Sequence, residues 1–333
     1  MSEDYKKIPF SVLDLATVIE GQQPADSFSN SLALAKQVEQ LGFTRYWFAE
    51  HHNMINVASS ATPVLIGFIA GNTQKIRVGS GGIMLPNHAP LIVAEQFGTL
   101  ESLYPNRIDL GLGRAPGSDP ATSRAIRGAN INASNFFGQD VQQLQRYFST
   151  ENSRSNVRAI PGEGLDIPIW ILGSSTDSAY LAAELGLPYA FASHFAPDQF
   201  TAAIKIYRQN FKPSAQLQSP YTMACVNVVA ADTNEEAYYL STSLKQFFMG
   251  VITGGRKLLQ PPVENMDDLW DDQAKYVIEQ MLRYAIIGGP EKLKTDLQEF
   301  IATTGINEIM VTSQIFNQEA RRKSYQLVAE ALS

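Results

Sequence analysis

The chain has 333 residues, 44% hydrophobic and 18% charged, and its 26 basic and 33 acidic side chains leave a net charge of −7. This balance excludes intrinsic disorder, which needs low hydrophobicity and high net charge, and it gives no electrostatic footprint for nucleic acid or an anionic membrane. The single cysteine, Cys225, excludes an intramolecular disulfide framework and a multi-cysteine zinc site, and fits a reducing compartment. Residues 1–10 carry charge and no apolar signal core. No stretch reaches the roughly 20 apolar residues of a membrane helix. A soluble, cytoplasmic protein is expected.

Short apolar runs alternate with amphipathic stretches along almost the whole chain. Residues 8–15 read as a strand and 28–41 as a helix, with Leu32, Ala35, Val38 and Leu41 on one face. A strand over 43–49 and a helix over 63–72 follow, then a strand over 76–79 and a helix over 91–103. The fourth strand covers 107–113; after a Gly/Pro/Asn-rich loop over 115–134, a helix covers 136–148. Strands over 167–172 and 189–192 precede helices over 178–185 and 198–211. The longest strand, 222–231, leads to helices over 234–249, 272–286 and 290–303, the last with Pro290 suited to a first turn. An eighth strand over 306–312 and a helix over 318–332 close the chain.

Strands separated by helices, with no hairpin spacing, predict an all-parallel sheet. Their continuous apolar runs predict burial on both faces. A count of eight fits a closed barrel, and no Pro/Ser-rich linker divides the chain. An open doubly wound sheet would tolerate the same alternation.

In such folds chemistry sits in the loops after the strands, and all four histidines fall there. His51 and His52 follow the second strand, His88 the third and His194 the sixth. His88, within Pro86-Asn87-His88-Ala89-Pro90, reads as part of a turn into a helix. His51 reads as functional, because Glu50-His51-His52-Asn53 is a dense polar cluster directly after Tyr46-Trp47-Phe48, and histidine titrates near neutrality. Adjacent strand residues point to opposite faces, so His51 and His52 are not expected to share a metal ion. No helical His-Glu-x-x-His order supports a metal site, and no Gly-x-Ser-x-Gly elbow supports a serine hydrolase.

Two glycine loops end consecutive strands: Gly79-Ser80-Gly81-Gly82 and Gly111-Leu112-Gly113-Arg114-Ala115-Pro116-Gly117. Neither has the Gly-x-Gly-x-x-Gly dinucleotide spacing. Missing side chains there would let a flat ring approach the backbone. Leu172-Gly173-Ser174-Ser175-Thr176-Asp177-Ser178 opens directly into a helix, whose free N–H groups suit an anion, and Arg114 lies at the neighbouring strand end. Each feature alone is compatible with an ordinary turn or with an N-cap at Ser175 or Asp177. Together they describe a site for a phosphorylated planar cofactor, for which FMN is the simplest candidate.

On these residues the chain resembles the bacterial luciferase-like flavin-dependent monooxygenases. The likeness runs over nearly its whole length. It rests on Trp47-Phe48-Ala49-Glu50-His51-His52-Asn53, on Val78-Gly79-Ser80-Gly81-Gly82-Ile83-Met84-Leu85-Pro86, on residues 107–117, on Leu172-Gly173-Ser174-Ser175, and on a tail from Gly288-Gly289-Pro290 to Gly305-Ile306. The resemblance implies a single domain over residues 1–333, a (β/α)8 TIM barrel with reduced FMN at its C-terminal mouth. It implies His51 as general acid/base and Glu50 as its buried neighbour organising the site. Gly81 and Gly82 would lie beside the isoalloxazine ring, joined by a peptide that is cis in several relatives. Arg114, Gly173, Ser174, Ser175 and Ser178 match the phosphate-binding stretch, and Ser193 and His194, with Phe191 and Phe195, are candidates for the substrate pocket.

Two departures limit the carry-over. Gly113 stands where luciferase has a reactive cysteine, and Ser174 where it has a glutamate. Residues 250–271, containing Gly254-Gly255 and Pro261-Pro262, lie where luciferase has a mobile loop and are expected to form a lid. The chemistry implied is monooxygenation of a small carbonyl or related compound, through a C4a-hydroperoxyflavin made from O2 and reduced FMN supplied by a separate reductase. A deazaflavin-dependent hydride-transfer oxidoreductase shares the barrel and phosphate site and is the alternative enzyme. A flavin-binding protein without turnover is the alternative outside enzymes. The resemblance also implies a homodimer, with the apolar face of the 63–72 helix as a contact surface. Cys225 reads as core packing within the seventh strand.

Overall fold

The computed structural model describes residues 7–115, 117–128, 130 and 132–333. Its strands are β1 (Phe10–Asp14), β2 (Arg45–Phe48), β3 (Arg77–Met84), β4 (Ile108–Gly113), β5 (Ile169–Gly173), β6 (Tyr189–Phe191), β7 (Thr222–Ala230), β8 (Ile286–Gly288) and β9 (Glu308–Thr312). All their pairings are parallel. The ring runs β1-β2-β3-β4-β5-β6-β7-β9 and returns to β1. The β6–β7 and β9–β1 pairings close the sheet, so the fold is a (β/α)8 TIM barrel and not an open doubly wound sheet.

The helices are α1 (Pro24–Gln40), α2 (Thr62–Ala70), α3 (Pro90–Leu103), α4 (Pro120–Arg127), α5 (Phe137–Phe148), α6 (Thr176–Leu185), α7 (Phe200–Asn210), α8 (Asn234–Thr253), α9 (Asp272–Met281), α10 (Pro290–Thr304) and α11 (Gln318–Leu332). Among the described residues, none is long and apolar enough to cross a membrane.

Strand periodicity separates the barrel interior from the layer shared with the helices. Leu13, Trp47, Trp170, Met223, Cys225 and Met310 fill the barrel interior. Their chain neighbours Val12, Tyr46, Phe48, Ile169, Ile171, Ala224, Val226, Ile309 and Val311 point outward into the layer shared with the helices. Cys225 is 6% exposed and burial pushes its thiol well up, so it packs as a small apolar side chain in β7, as expected.

The N-terminal end of the barrel is closed by charge. Asp109 on β4 and Glu308 on β9 are fully buried; Arg45 bridges both, at 2.8 and 2.9 Å, and Arg77 meets Asp109 at 2.7 Å. Trp47 donates to Asp109, Tyr221 donates to Glu308, and the Arg45 guanidinium lies 4.8 Å from the Trp170 ring centre. Each buried carboxylate is thus compensated by cations and hydrogen bonds, as burial requires. This end is a plug, and the opposite, C-terminal end is left for chemistry.

Three local expectations are corrected. The segment expected as one helix over 272–286 stops at Met281, and Ile286–Gly288 forms β8 against the far end of β7. The loop over 115–134 contains α4, which starts because the Asp119 side chain accepts from the N–H groups of Ala121 and Thr122. Helix α8 continues to Thr253, where Gly254 ends it with φ 72°, so the segment expected as a lid from 250 begins in helix.

Candidate active site at the C-terminal mouth

The loop leaving β2 carries Glu50, which is 1% exposed. Its carboxylate meets His52 Nε2 at 2.7 Å and His88 Nε2 at 2.9 and 3.0 Å, and accepts the Met84 N–H at 2.9 Å. Burial alone would raise this carboxyl; the hydrogen bonds with His52 and His88 and the Met84 N–H outweigh it and hold the group at about 2. Glu50 is therefore ionised at neutral pH. It is the buried neighbour of His51 in the chain, and its hydrogen bonds go to His52 and His88. His88 does sit after a short 3-10 turn (Leu85–Asn87), yet its imidazole is part of this cluster, which corrects its reading as a turn residue only.

His51 is differently placed. Its Nδ1 is sealed from solvent with no hydrogen-bond partner, and the same holds for His194 Nδ1 after β6. Burial and then the charge of Arg256 push His51 down to about 4, against an opposing pull from Glu50. Burial, followed by proximity to His51, pushes His194 down to about 3. The structure thus brings His51 and His194 together as two neutral imidazoles. Ser193 is fully buried and its hydroxyl donates to the Cys225 carbonyl at 2.6 Å, so that hydroxyl anchors the end of β6 on β7.

Beside Glu50 runs the glycine ledge. The Glu50 N–H donates to Gly82 O at 3.3 Å, and the Gly81–Gly82 peptide is cis, as the resemblance implies. Register between β3 and β4 shifts from Ser80 to Ile83, which frees these peptides from the regular ladder. A Cβ on Gly82 would stand 2.7 Å from Gly111 O, whereas one on Gly81 would meet the Leu13 side chain at 2.7 Å. Glycine at both positions is therefore what lets this stretch of β3 pack closely against β4 and the barrel interior.

At the end of β5, Ser175 is the N-cap of α6 and makes no side-chain cap bond. Ser174 is exposed, and Arg114 meets Asp177 at 3.2 Å with both side chains largely solvated. Of the expected phosphate residues, Arg114, Ser174 and Ser175 therefore gather at the α6 N-terminus with hydrogen-bonding capacity to spare. Ser178 does not: its hydroxyl donates to Ser175 O at 2.8 Å and contacts Tyr189 OH at 3.0 Å. Gly173 is required there, since a Cβ would fall 1.7 Å from Ser178 Oγ. Gln199, which the sequence did not mark, takes the Thr176 N–H at 3.0 Å.

The segment after α8 crosses to the loop that follows β1. Leu259 is 2% exposed and pairs with Ile19; its N–H donates to Val18 O and its carbonyl accepts from Glu20 N–H, both at 2.9 Å. Arg256 lies on this strap. No group of three or more His, Cys, Asp or Glu side chains among the described residues is placed to hold a metal ion.

A sequence profile of the luciferase-like monooxygenases matches residues 8–308. The chain belongs to the luciferase-like monooxygenase family. It is 54% identical to the uncharacterised protein YvbT of Bacillus subtilis (strain 168), over 96% of this chain and 95% of that protein. It is 50% identical to a luciferase-like monooxygenase of Escherichia coli (strain K12), over 98% and 97% of the two chains. N-acetyl-S-alkylcysteine monooxygenase of B. subtilis (strain 168) is 31% identical to it over 98% of both chains. Among solved structures, apo-MsnO8 superposes with a TM-score of 0.86 at 35% identity, covering 97% of this chain and 98% of its own. Two more distant structures share the fold. One is the oxygenating constituent of 3,6-diketocamphane monooxygenase from Pseudomonas putida in complex with FMN (TM-score 0.74, 15% identity, 98% and 97% covered). The other is an F420-dependent secondary alcohol dehydrogenase (TM-score 0.68, 14% identity, 98% and 99% covered).

Proposed function

We propose that the protein is a flavin-dependent monooxygenase that uses reduced FMN, delivered by a separate reductase, and O2 to oxidise a small organic substrate in the cytoplasm. The observation that carries this reading is the placement of the Gly81–Gly82 backbone, the neutral His51 and the polar N-terminus of α6 at the same end of the barrel, on or after β3, β2 and β5. One end suits a flat ring, and the other suits a phosphate. Gly81 and Gly82 would lie against the ring, and Arg114, Ser174 and Ser175 would hold the phosphate, for which Arg114 must exchange its pairing with Asp177. When bound, reduced FMN supplies the electrons that activate O2.

The chain's own residues have distinct tasks. His51 is uncharged at neutral pH, so it is ready to take a proton from the substrate or oxygen side and return it. Glu50 stays ionised and holds His52 and His88 in place, and through its N–H it fixes the Gly82 carbonyl. It acts as a positioning residue. The strap pinned at Leu259 covers the mouth and limits water, the task expected of a lid.

The 31% identical relative, named as a monooxygenase of N-acetyl-S-alkylcysteine, favours oxygenation over deazaflavin-linked hydride transfer and over binding without turnover. The test is a fluorescence titration with FMN, followed by turnover with enzymatically reduced FMN. His51→Ala is expected to retain FMN binding and to lose about 10²–10⁴-fold in rate. An unchanged rate rejects the role of His51; binding of the deazaflavin but not of FMN rejects the cofactor.

A further inference from the structure

Alternate residues of a barrel strand share one face, so the paired strands β7 and β9 carry three inward-facing layers. Met223 pairs with Glu308 at the charged plug, Cys225 with Met310 in the apolar interior, and Asn227 with Thr312 at the C-terminal end. Asn227 and Thr312 are each 2% exposed. The barrel is nonetheless open from this end. Leu15, just past β1, and Leu172, on β5, pack on the interior cluster yet stay partly exposed. Counted around the ring of eight, β7 lies opposite β3 and β9 opposite β4. Asn227 and Thr312 therefore face the strands that carry the Gly81–Gly82 ledge and Gly113.

This polar pair is incompletely bonded. The Asn227 side chain donates to the His194 carbonyl oxygen at 2.5 Å. A carbonyl only accepts, so the amide is oriented with Nδ2 on His194 and Oδ1 turned away. Oδ1 accepts from no described residue and is not among the buried atoms sealed from solvent. On the adjacent strand, the Thr312 hydroxyl is buried without a partner. A buried amide and hydroxyl with unused hydrogen-bonding capacity cost stability. That cost is tolerable where the missing partner is a ligand.

We propose that Asn227 and Thr312 are the specificity residues of the substrate pocket, and that the substrate presents to them an uncharged head with an N–H or O–H donor, its apolar remainder lying along Leu15 and Leu172. The proposal rests on the monooxygenase reading and deepens it by naming the substrate class. A primary amide fits best, because its N–H donates to Asn227 Oδ1 while its carbonyl accepts from the Thr312 hydroxyl. An ionised carboxylate has no donor for Oδ1. It would also meet no cation on this wall, where His194 is neutral. An apolar cup with a few fixed polar groups is the usual build of a small-molecule site.

The test uses three probes of one shape, hexanamide, hexanoate and 2-heptanone, titrated calorimetrically into the whole protein with FMN present and absent. Hexanamide is expected to bind about 10-fold or more tightly than hexanoate. Asn227→Leu is expected to lower the ratio of hexanamide to 2-heptanone affinity about 10-fold, because only the amide uses Oδ1 as an acceptor. Thr312→Val keeps the side-chain shape and is expected to weaken hexanamide about threefold or more. Hexanoate bound as tightly as hexanamide, no binding of hexanamide, or an unchanged hexanamide to 2-heptanone ratio in both variants overturns the proposal. A loss of FMN affinity in Thr312→Val without probe also overturns it, by assigning this wall to the cofactor. Failure of the wild-type protein to bind FMN, read by flavin fluorescence in the same samples, instead rejects the functional reading on which the proposal rests.

Discussion

Glu50 and His88 lie 38 residues apart in the chain and meet at 2.9 Å above the ends of β2 and β3. With His52 on its other side, the Glu50 carboxylate is clamped between two imidazoles in a nearly water-free setting. Removing one imidazole leaves a buried charge short of a partner, a change that costs about 1–3 kcal/mol. His88→Ala and His52→Ala should each lower the denaturant midpoint, and the double variant should lose less than the sum. A double-mutant cycle in urea checks this; strict additivity would show that the three side chains do not act as a unit.

The same clamp sets an acid limit. Glu50 titrates at about 2 in the fold against 4.5 unperturbed, so its contribution is complete above pH 4.5 and disappears as pH falls toward 2. The difference corresponds to about 3 kcal/mol. Glu50→Gln should therefore be much less stable than wild type at pH 7, and the gap should narrow between pH 5 and pH 3. Urea titrations across that range decide it.

His51 and His194 add to the same acid loss and begin it at higher pH. Their folded-state values of about 4 and about 3 lie below the ordinary 6.5, so the unfolded chain takes up protons first as pH drops. Stability should begin to fall below pH 6.5, and for His51 the loss reaches about 3 kcal/mol by pH 4. His194→Gln should flatten that slope. The acid limb of kcat/KM should likewise lie near pH 4 and not near 6.5, as read from a pH–rate profile of the wild-type enzyme.

At the ledge, Gly82→Ala would drive a Cβ to 2.7 Å from the Gly111 carbonyl oxygen, a backbone atom that cannot swing away. At Gly81 the obstruction is the end of the Leu13 side chain, which can change rotamer. Gly82→Ala should lower stability by about 2 kcal/mol or more and weaken FMN binding, and Gly81→Ala should do less of both. Thermal melts with and without FMN compare them.

Arg114 and Asp177 are 48% and 68% exposed at the side chain, so their ion pair adds little stability. Asp177→Asn should leave the melting temperature near wild type yet strengthen FMN binding several-fold, by freeing Arg114. Arg114→Ala should weaken FMN about 10–100-fold and leave riboflavin, which lacks the phosphate, almost unchanged. The FMN-to-riboflavin affinity ratio isolates the phosphate contact.

How much of this the sequence revealed follows from the range of the forces involved. The eight barrel strands were legible because buried parallel strands are continuous apolar runs, and residues such as Tyr46-Trp47-Phe48 have no other reading. Ile286–Gly288 escaped notice because a three-residue strand at the tail of a helical pattern has no period of its own. The start of α4 was available in Asp119-Pro120, a cap followed by a proline at the first turn, but glycines and asparagines around it masked the signal. In the site, the glycine ledge and the Ser175 cap were local and therefore visible. The contact of His88 with Glu50 and the contact of the Ser178 hydroxyl with Tyr189 depend on tertiary placement, which single-chain spacing does not encode.

The proposed reaction places one oxygen atom from O2 in the substrate, with reduced FMN as the reductant. Its most direct test is turnover under ¹⁸O₂ with FMN and a flavin reductase, using N-acetyl-S-alkylcysteines, aldehydes and ketones as substrates, with products read by mass spectrometry. One ¹⁸O atom is expected in the product, and its appearance is expected to be lost in His51→Ala. Product without ¹⁸O, or substrate reduced anaerobically with the deazaflavin in place of FMN, would contradict it.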